Sequence, residues 1–248
     1  MGRRFGQHFL IRESILRRIA EAACGEREET VVEIGPGKGA LTRQLLSLAD
    51  RVVAIEVDPY LAGYLRTRFR ESAGLTIVEN DVLKTGLAEW GPAVIAGNLP
   101  YYITSPILSK VFATPGWKRA VFLVQREVAE RVTAAPGTRD YGFLTVQTAV
   151  HAQAEFLFPV SPAAFAPPPK VESAVIRLTP RPDAVPDAAA FLEFAGLAFA
   201  HKRKTLRNNL KERYPAVAEA PEGGLRAEQL GWEQLADLHA RLAAPPPK

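Results

Sequence analysis

The chain has 248 residues, 47% hydrophobic and 23% charged, a balance that points to a globular protein rather than a disordered or fibrous one. Its formal net charge of +4 is a modest basic excess that suits an anionic partner without specifying one. Cys24 is the only cysteine and the four histidines are scattered, so an intrachain disulfide is excluded, no metal centre is expected, and a reducing cytoplasmic setting fits.

The opening "MGRRFGQHFL" has two arginines with no apolar segment behind them, so no secretory leader is expected, and no apolar run is long enough to predict a membrane span. Gly2 does not open a myristoylation motif, because Gly6 stands where Ser or Thr is required. Short β-branched runs follow: "TVVEI" (30–34), "RVVAIE" (51–56), "LTIVE" (75–79), "AVIAG" (93–97) and "RAVFLVQ" (119–125) read as strands. Between the first two, "GALTRQLLSLAD" carries Leu41, Leu45, Leu46 and Leu48 at helical spacing. "PYLAGYLRTRFR" starts a helix at Pro59, "SPILSKVF" follows the fourth strand and "REVAERVTA" the fifth. Alternating apolar strands and helices predict an α/β fold with a doubly wound, mostly parallel sheet. "HAQAEFLFPV" (151–160) and "ESAVIRLTP" (172–180) have no helix between them, which predicts an antiparallel addition at one edge and seven strands in all. The prolines of "PRPDAVPD" (180–187) form a stiff connector. Beyond it "AAAFLEFAGLAFA", "KRKTLRNNLKERY" and "WEQLADLHARLA" read as helices. The expected organisation is therefore an α/β domain over 1–180 and a small helical domain over 181–248, with a disordered "APPPK" tail.

The first strand runs into "EIGPGKGALT". Gly35, Gly37 and Gly39 allow a tight turn and close approach of a ligand before a helix begins. The third glycine follows the second too soon for a dinucleotide fingerprint, which argues against NAD. Glu33 precedes the glycines. Glu56 ends the next strand, about 20 residues past the turn, where a carboxylate accepts both hydroxyls of a ribose. Asp81 closes the third strand at the same sheet edge, placed to meet an adenine amino group. Taken singly, Glu56 reads equally as a solvated strand end and Asp81 as a helix cap.

The fourth strand ends in Asn98, Leu99, Pro100 and Tyr101. A turn would account for that tetrapeptide alone. With the glycine turn and the acidic strand ends before it, the sequence resembles the S-adenosylmethionine-dependent methyltransferases of exocyclic amino groups, which have the Rossmann-like class I fold. The residue types suit that chemistry, because the lone pair of an adenine amine is delocalised into the ring. Asn98 Oδ1 and the main-chain carbonyl near Leu99–Pro100 can accept its two hydrogens and hold the nitrogen in line with a methyl–sulfur bond. Tyr101 offers a face for a base lifted from its helix.

Five stretches, "GQHFL" (6–10), "VEIGPGKGALT" (32–42), "GNLPYYITSPIL" (97–108), "FAPPPKVESAVIRL" (165–178) and "HKRKTLRNNL" (201–210), resemble in order and spacing the ribosomal RNA adenine dimethyltransferases of the KsgA type. The resemblance implies transfer of two methyl groups to each of two adjacent adenines in the 3′-terminal hairpin of small-subunit (16S) rRNA, late in small-subunit biogenesis. It implies S-adenosyl-L-methionine as cofactor, rRNA within a pre-ribosomal particle as partner, and a cytoplasmic monomer without membrane attachment. It places His8, Leu10, Gly35, Gly37, Glu56, Asp81 and Asn98 around the cofactor, with His8 where asparagine is frequent. Phe165 would be a second stacking residue facing Tyr101; outside the family it reads as a core aromatic. Lys202, Arg203, Lys204 and Arg207, with Lys211 on the same helical stretch, would meet RNA phosphates, whereas a charge run by itself is usually a solvated face.

Three other readings stay open. An Erm-type enzyme shares fold, cofactor and target atom but acts on large-subunit rRNA; the "FAPPPKVESAV" and "KRKTLRNNL" stretches lean away from it. A DNA adenine methyltransferase would need a separate target-recognition domain. Mitochondrial relatives serve as transcription factors, but the intact NLPY and acidic strand ends favour catalysis.

Overall fold

The fold is known from a computed structural model that describes residues 8–182 and 184–243. The "APPPK" tail, the Gly2 reading and the first two residues of "GQHFL" lie outside these residues. The chain divides into two compact units, one made of Met1–Ala129 and Ala154–Pro180, the other of Glu130–Gln153 and Arg181–Lys248.

In the first unit the elements run β1 (Phe9–Leu10), α1 (Glu13–Cys24), β2 (Glu28–Ile34), α2 (Ala40–Leu46), β3 (Ala49–Glu56), α3 (Pro59–Arg68), β4 (Leu75–Glu79), β5 (Val94–Asn98), α4 (Thr104–Phe112) and β6 (Arg119–Gln125). Helix α5 (Arg126–Val132) leads into the second unit with α6 (Phe143–His151), and the chain returns through β7 (Ala152–Val160), β8 (Phe165–Ala166) and β9 (Ser173–Pro180). Among the described residues the main sheet has seven strands in the order β4-β3-β2-β5-β6-β9-β7. β2, β3, β4, β5 and β6 pair in parallel, whereas β9 runs antiparallel to β6. Continuous apolar strands suit this arrangement because helices cover both sheet faces, and Val31, Val52, Val94 and Phe122 are fully buried.

Helix α1 buries Leu16, Ile19, Ala20 and Ala23 in the same core as Val31, Val52, Val94 and Val121. Its apolar residues fall at helical spacing, a helix beyond those expected from the sequence. Pro59 opens α3 and Asp58 caps it, the side chain accepting from Tyr60 N at 2.9 Å. A side chain at Gly97 would put Cβ 2.5 Å from the Ile34 carbonyl, so only glycine lets β5 pass β2 at this height. β2, β3 and β5 thus end together at Ile34, Glu56 and Asn98.

The second unit holds α6, α7 (Ala188–Ala198), α8 (Leu206–Leu210) and α9 (Trp232–Ala243) around Phe191, Phe194, Leu206 and Leu235. The sequence expectation set one boundary at residue 180; the structure adds 130–153 to the helical unit, because Tyr141, Val146 and Val150 are buried in its core. A second correction concerns "KRKTLRNNLKERY". Thr205 caps α8, accepting from Asn208 N at 3.4 Å, so only five residues are helical there and Lys202, Arg203 and Lys204 lie in the preceding turn. Among the described residues no helix is long and apolar enough to cross a membrane.

Candidate active site

The turns after β2, β3, β4 and β5, together with β1, enclose a cavity of ≈ 500 Å³. Such crevices form beyond the carboxyl ends of parallel strands. Gly37 has φ +57°, and a Cβ there would lie 2.9 Å from the Phe9 ring, so a glycine is required on both counts. Its N–H donates to Glu56 Oε2 at 3.0 Å, while Glu56 Oε1 accepts from Asp58 N at 3.0 Å. Glu56 is 2% exposed, and burial holds its pKa above the usual carboxylate range, opposed by the Asp58 and Gly37 amides. A carboxylate has about four acceptor sites, so two remain to take a diol. Asp81 both lines the cavity and caps the following turn, Oδ1 accepting from Leu83 N at 2.9 Å. The two readings of that residue are compatible.

Asn98 ends β5, and its Nδ2 donates to the main-chain carbonyl of His8 at 3.1 Å. Leu99 N donates to the Leu123 carbonyl at 3.0 Å, which pins the motif to the sheet. The Pro100 carbonyl accepts from Ile103 N at 3.1 Å and from Thr104 Oγ1 at 3.2 Å. Among the described residues the Leu99 carbonyl has no donor, so of the two candidates it is the open acceptor. The Tyr101 hydroxyl shares a 2.7 Å hydrogen bond with Ser173 Oγ, and burial raises its pKa, the Ser173 contact opposing. The Tyr101 ring stacks on that of His8, centroids 6.2 Å apart at 25°.

Glu33, 1% exposed, lies at the floor of the cavity. Among the described residues neither its Oε2 nor the Thr42 hydroxyl has a hydrogen-bond partner. Burial pushes its pKa up to about 8, the dipoles of Thr42 offset part of that, and Glu56 adds to it. The acid therefore carries its proton at neutral pH.

The structure brings His8, Leu10, Gly35, Gly37, Glu56, Asp81, Asn98, Leu99, Pro100 and Tyr101 to one cavity. It does not bring Phe165 there. That ring is 3% exposed in the apolar core, its residue paired with Leu10 across β1 and β8. Lys202, Arg203, Lys204 and Arg207 are exposed on the second unit, but Arg207 is not free: its guanidinium donates to the Ala218 carbonyl at 2.9 Å. Ile11, Leu83 and the 62% exposed Tyr102 also border the cavity. The second ring of "PYY" was visible in the sequence; Ile11 and Leu83 gave no signal beyond their neighbours.

Residues 1–237 match the family of ribosomal RNA adenine dimethylases. The chain is similar to the ribosomal RNA small subunit methyltransferase A of Acidobacterium capsulatum, at 45% identity over 96% of this chain and 90% of that protein. It is similar to the same-named protein of Chlorobium chlorochromatii at 42%, over 97% and 93%. A dimethyladenosine transferase from Plasmodium falciparum superposes with a TM-score of 0.80 at 26% identity, covering 93% of this chain and 96% of that one. The 23S rRNA methyltransferase ErmE superposes at 0.73 with 30% identity, over 95% and 100%. The sheet is accordingly the Rossmann-like sheet of methyltransferases, and the chain belongs to the ribosomal RNA adenine dimethylase family.

Proposed function

We propose that this enzyme uses S-adenosyl-L-methionine to dimethylate N6 of two adjacent adenines in the 3′-terminal hairpin of small-subunit rRNA, late in small-subunit biogenesis. The observation that carries the reading is that Asn98 and Tyr101 border the same cavity as Glu56, Asp81 and the glycine turn. The residues present fit the cofactor: the buried Glu56 keeps acceptor capacity for a ribose, and Gly35 and Gly37 of the adjoining turn border the same cavity. Glu56 would hold the ribose, Asp81 the adenine, and His8, Leu10 and Gly35 the remainder. When bound, S-adenosylmethionine supplies a methyl group already activated on a sulfonium.

The protein's own task is to make an adenine amine nucleophilic. Asn98 Oδ1 and the Leu99 carbonyl accept its two hydrogens, localising the lone pair and orienting it. Tyr101 stacks on the extruded base, its ring fixed through Ser173. For Phe165 to cover the other face, its ring must leave the core. Lys202, Arg203 and Lys204 supply phosphate contacts. The reading includes a cytoplasmic monomer acting on rRNA within a pre-ribosomal particle. Single-turnover methylation of small-subunit RNA at saturating cofactor tests it: Asn98→Ala should be slower by about a hundredfold or more. Near-normal transfer would return the motif to being a turn.

A further inference from the structure

We infer that the main chain of His8 sets the orientation of the Asn98 amide, and that this is why an asparagine rather than an aspartate ends β5. A main-chain carbonyl can only accept, so the atom facing the His8 carbonyl at 3.1 Å is the Asn98 NH2. Oδ1 is then the acceptor left at the cavity wall, and among the described residues it has no hydrogen-bond partner. The carbonyl that does the steering is itself fixed three ways. His8 Nδ1 meets the Pro167 carbonyl at 2.8 Å and so carries the hydrogen; the His8 ring lies against Tyr101; and the next residue, Phe9, pairs with Ala166. His8 is thus a positioning residue, acting through Asn98 by its backbone, separately from any contact of its ring with a cofactor.

An aspartate at this position would set an anionic oxygen against the His8 carbonyl, two acceptors facing each other without a hydrogen. Either the side chain would rotate and withdraw its other oxygen from the cavity wall, or the β1 strand would shift. Protonation of the acid would supply the missing donor and restore the geometry, one oxygen donating to His8 and the other accepting.

The role in methyl transfer rests on the function proposed above, so the test has one arm that needs no transfer. Thermal unfolding of the ligand-free protein is followed for wild type, Asn98→Ala and Asn98→Asp from about pH 8 to about pH 5. In the folded state the carbonyl disfavours the charged form of the new carboxyl and raises its pKa, so its stability is kept at low pH and lost as pH rises through that pKa. The melting-temperature deficit of Asn98→Asp should therefore shrink as pH falls, while that of Asn98→Ala stays level. In single-turnover methylation the ratio of the Asn98→Asp rate to the wild-type rate should rise about tenfold over the same interval. His8, Glu33, Lys38, Glu56, Asp81, Tyr101 and Tyr102 line the same cavity in the wild type and in the variant, so the comparison is made as a ratio of the two rates. A deficit independent of pH overturns the brace. A level rate ratio, or a variant inactive at every pH, overturns its part in positioning the amine. Wild-type protein that transfers no methyl group would be a failure of the proposed function instead, with the melting arm still deciding the brace.

Discussion

Replacing Glu56 by alanine removes the acceptor on which two turns close. Its carboxylate takes the Gly37 amide on one oxygen and the Asp58 amide on the other, so the glycine turn and the start of α3 are tied through one side chain. A hydrogen bond to a charged group is worth about 1.5–3 kcal/mol. The gain is partly offset, because burial disfavours the charge in this pocket, as its raised pKa records. We therefore expect a stability loss of about 2 kcal/mol, not the sum of two such bonds. Affinity for S-adenosylmethionine should fall by a further term of on the order of 2 kcal/mol for the lost ribose contacts, roughly thirtyfold in Kd. Glu56→Gln keeps one acceptor oxygen but turns an NH2 toward one of the two backbone donors, so its loss should be smaller, roughly tenfold. Wild-type affinity should weaken as pH falls through the raised pKa, since the neutral acid accepts less strongly. Titration calorimetry on the wild type and on variants shown to be folded by circular dichroism measures the three affinity effects, and chemical denaturation measures the stability loss. Unchanged affinity in folded Glu56→Ala would refute the assignment.

Three further outcomes are expected. Neutralising Lys202, Arg203 and Lys204 together should lower RNA affinity and reduce the salt slope by about 2–3, with cofactor affinity intact; an unchanged slope would make the turn a solvated face, and Arg207 is left in place because it also holds the Ala218 carbonyl. Glu33 keeps its proton in the folded state up to about pH 8 but loses it near 4.5 when unfolded, so stability should fall as pH rises across that window. Glu33→Gln should flatten that slope in melting temperature, leaving the smaller share from Glu56, and parallel wild-type and variant profiles would contradict the buried, protonated acid. Tyr101→Ala should depress capture of the target base by on the order of 1–3 kcal/mol. Tyr101→Phe should keep most transfer while losing about 1 kcal/mol of stability with the Ser173 bond, as chemical denaturation would show.

The parallel strands were legible because burial on both faces demands unbroken apolar runs: Leu75–Glu79 and Arg119–Gln125 are strands over the residues the pattern marked. The site was legible for a related reason. Parallel strands all end at one edge of the sheet, so Glu56, Asp81 and Asn98 could be grouped without coordinates. Helix α6 was harder, since "FLTVQTAVH" is rich in β-branched residues and becomes helical through burial of Val146 and Val150 with Phe191 and Phe194. That same packing, invisible in composition, assigns 130–153 to the helical unit. Periodicity extended α8 too far because basic residues suit a helix, whereas Thr205 starts it later. Phe165 shows the limit of pattern for aromatics, which look alike whether they face a cavity or a core. The His8 carbonyl's hold on Asn98 was beyond any pattern, being a backbone contact across 90 residues.

The most direct test of the account is transfer of labelled methyl from S-adenosylmethionine to small-subunit and large-subunit RNA offered separately, followed by nuclease digestion and mass mapping of the labelled nucleosides. The account predicts N6,N6-dimethyladenosine at two adjacent positions of the 3′-terminal hairpin of the small-subunit RNA, and none with Asn98→Ala on the same timescale. Label confined to large-subunit RNA, or the same yield from wild type and Asn98→Ala, would contradict it.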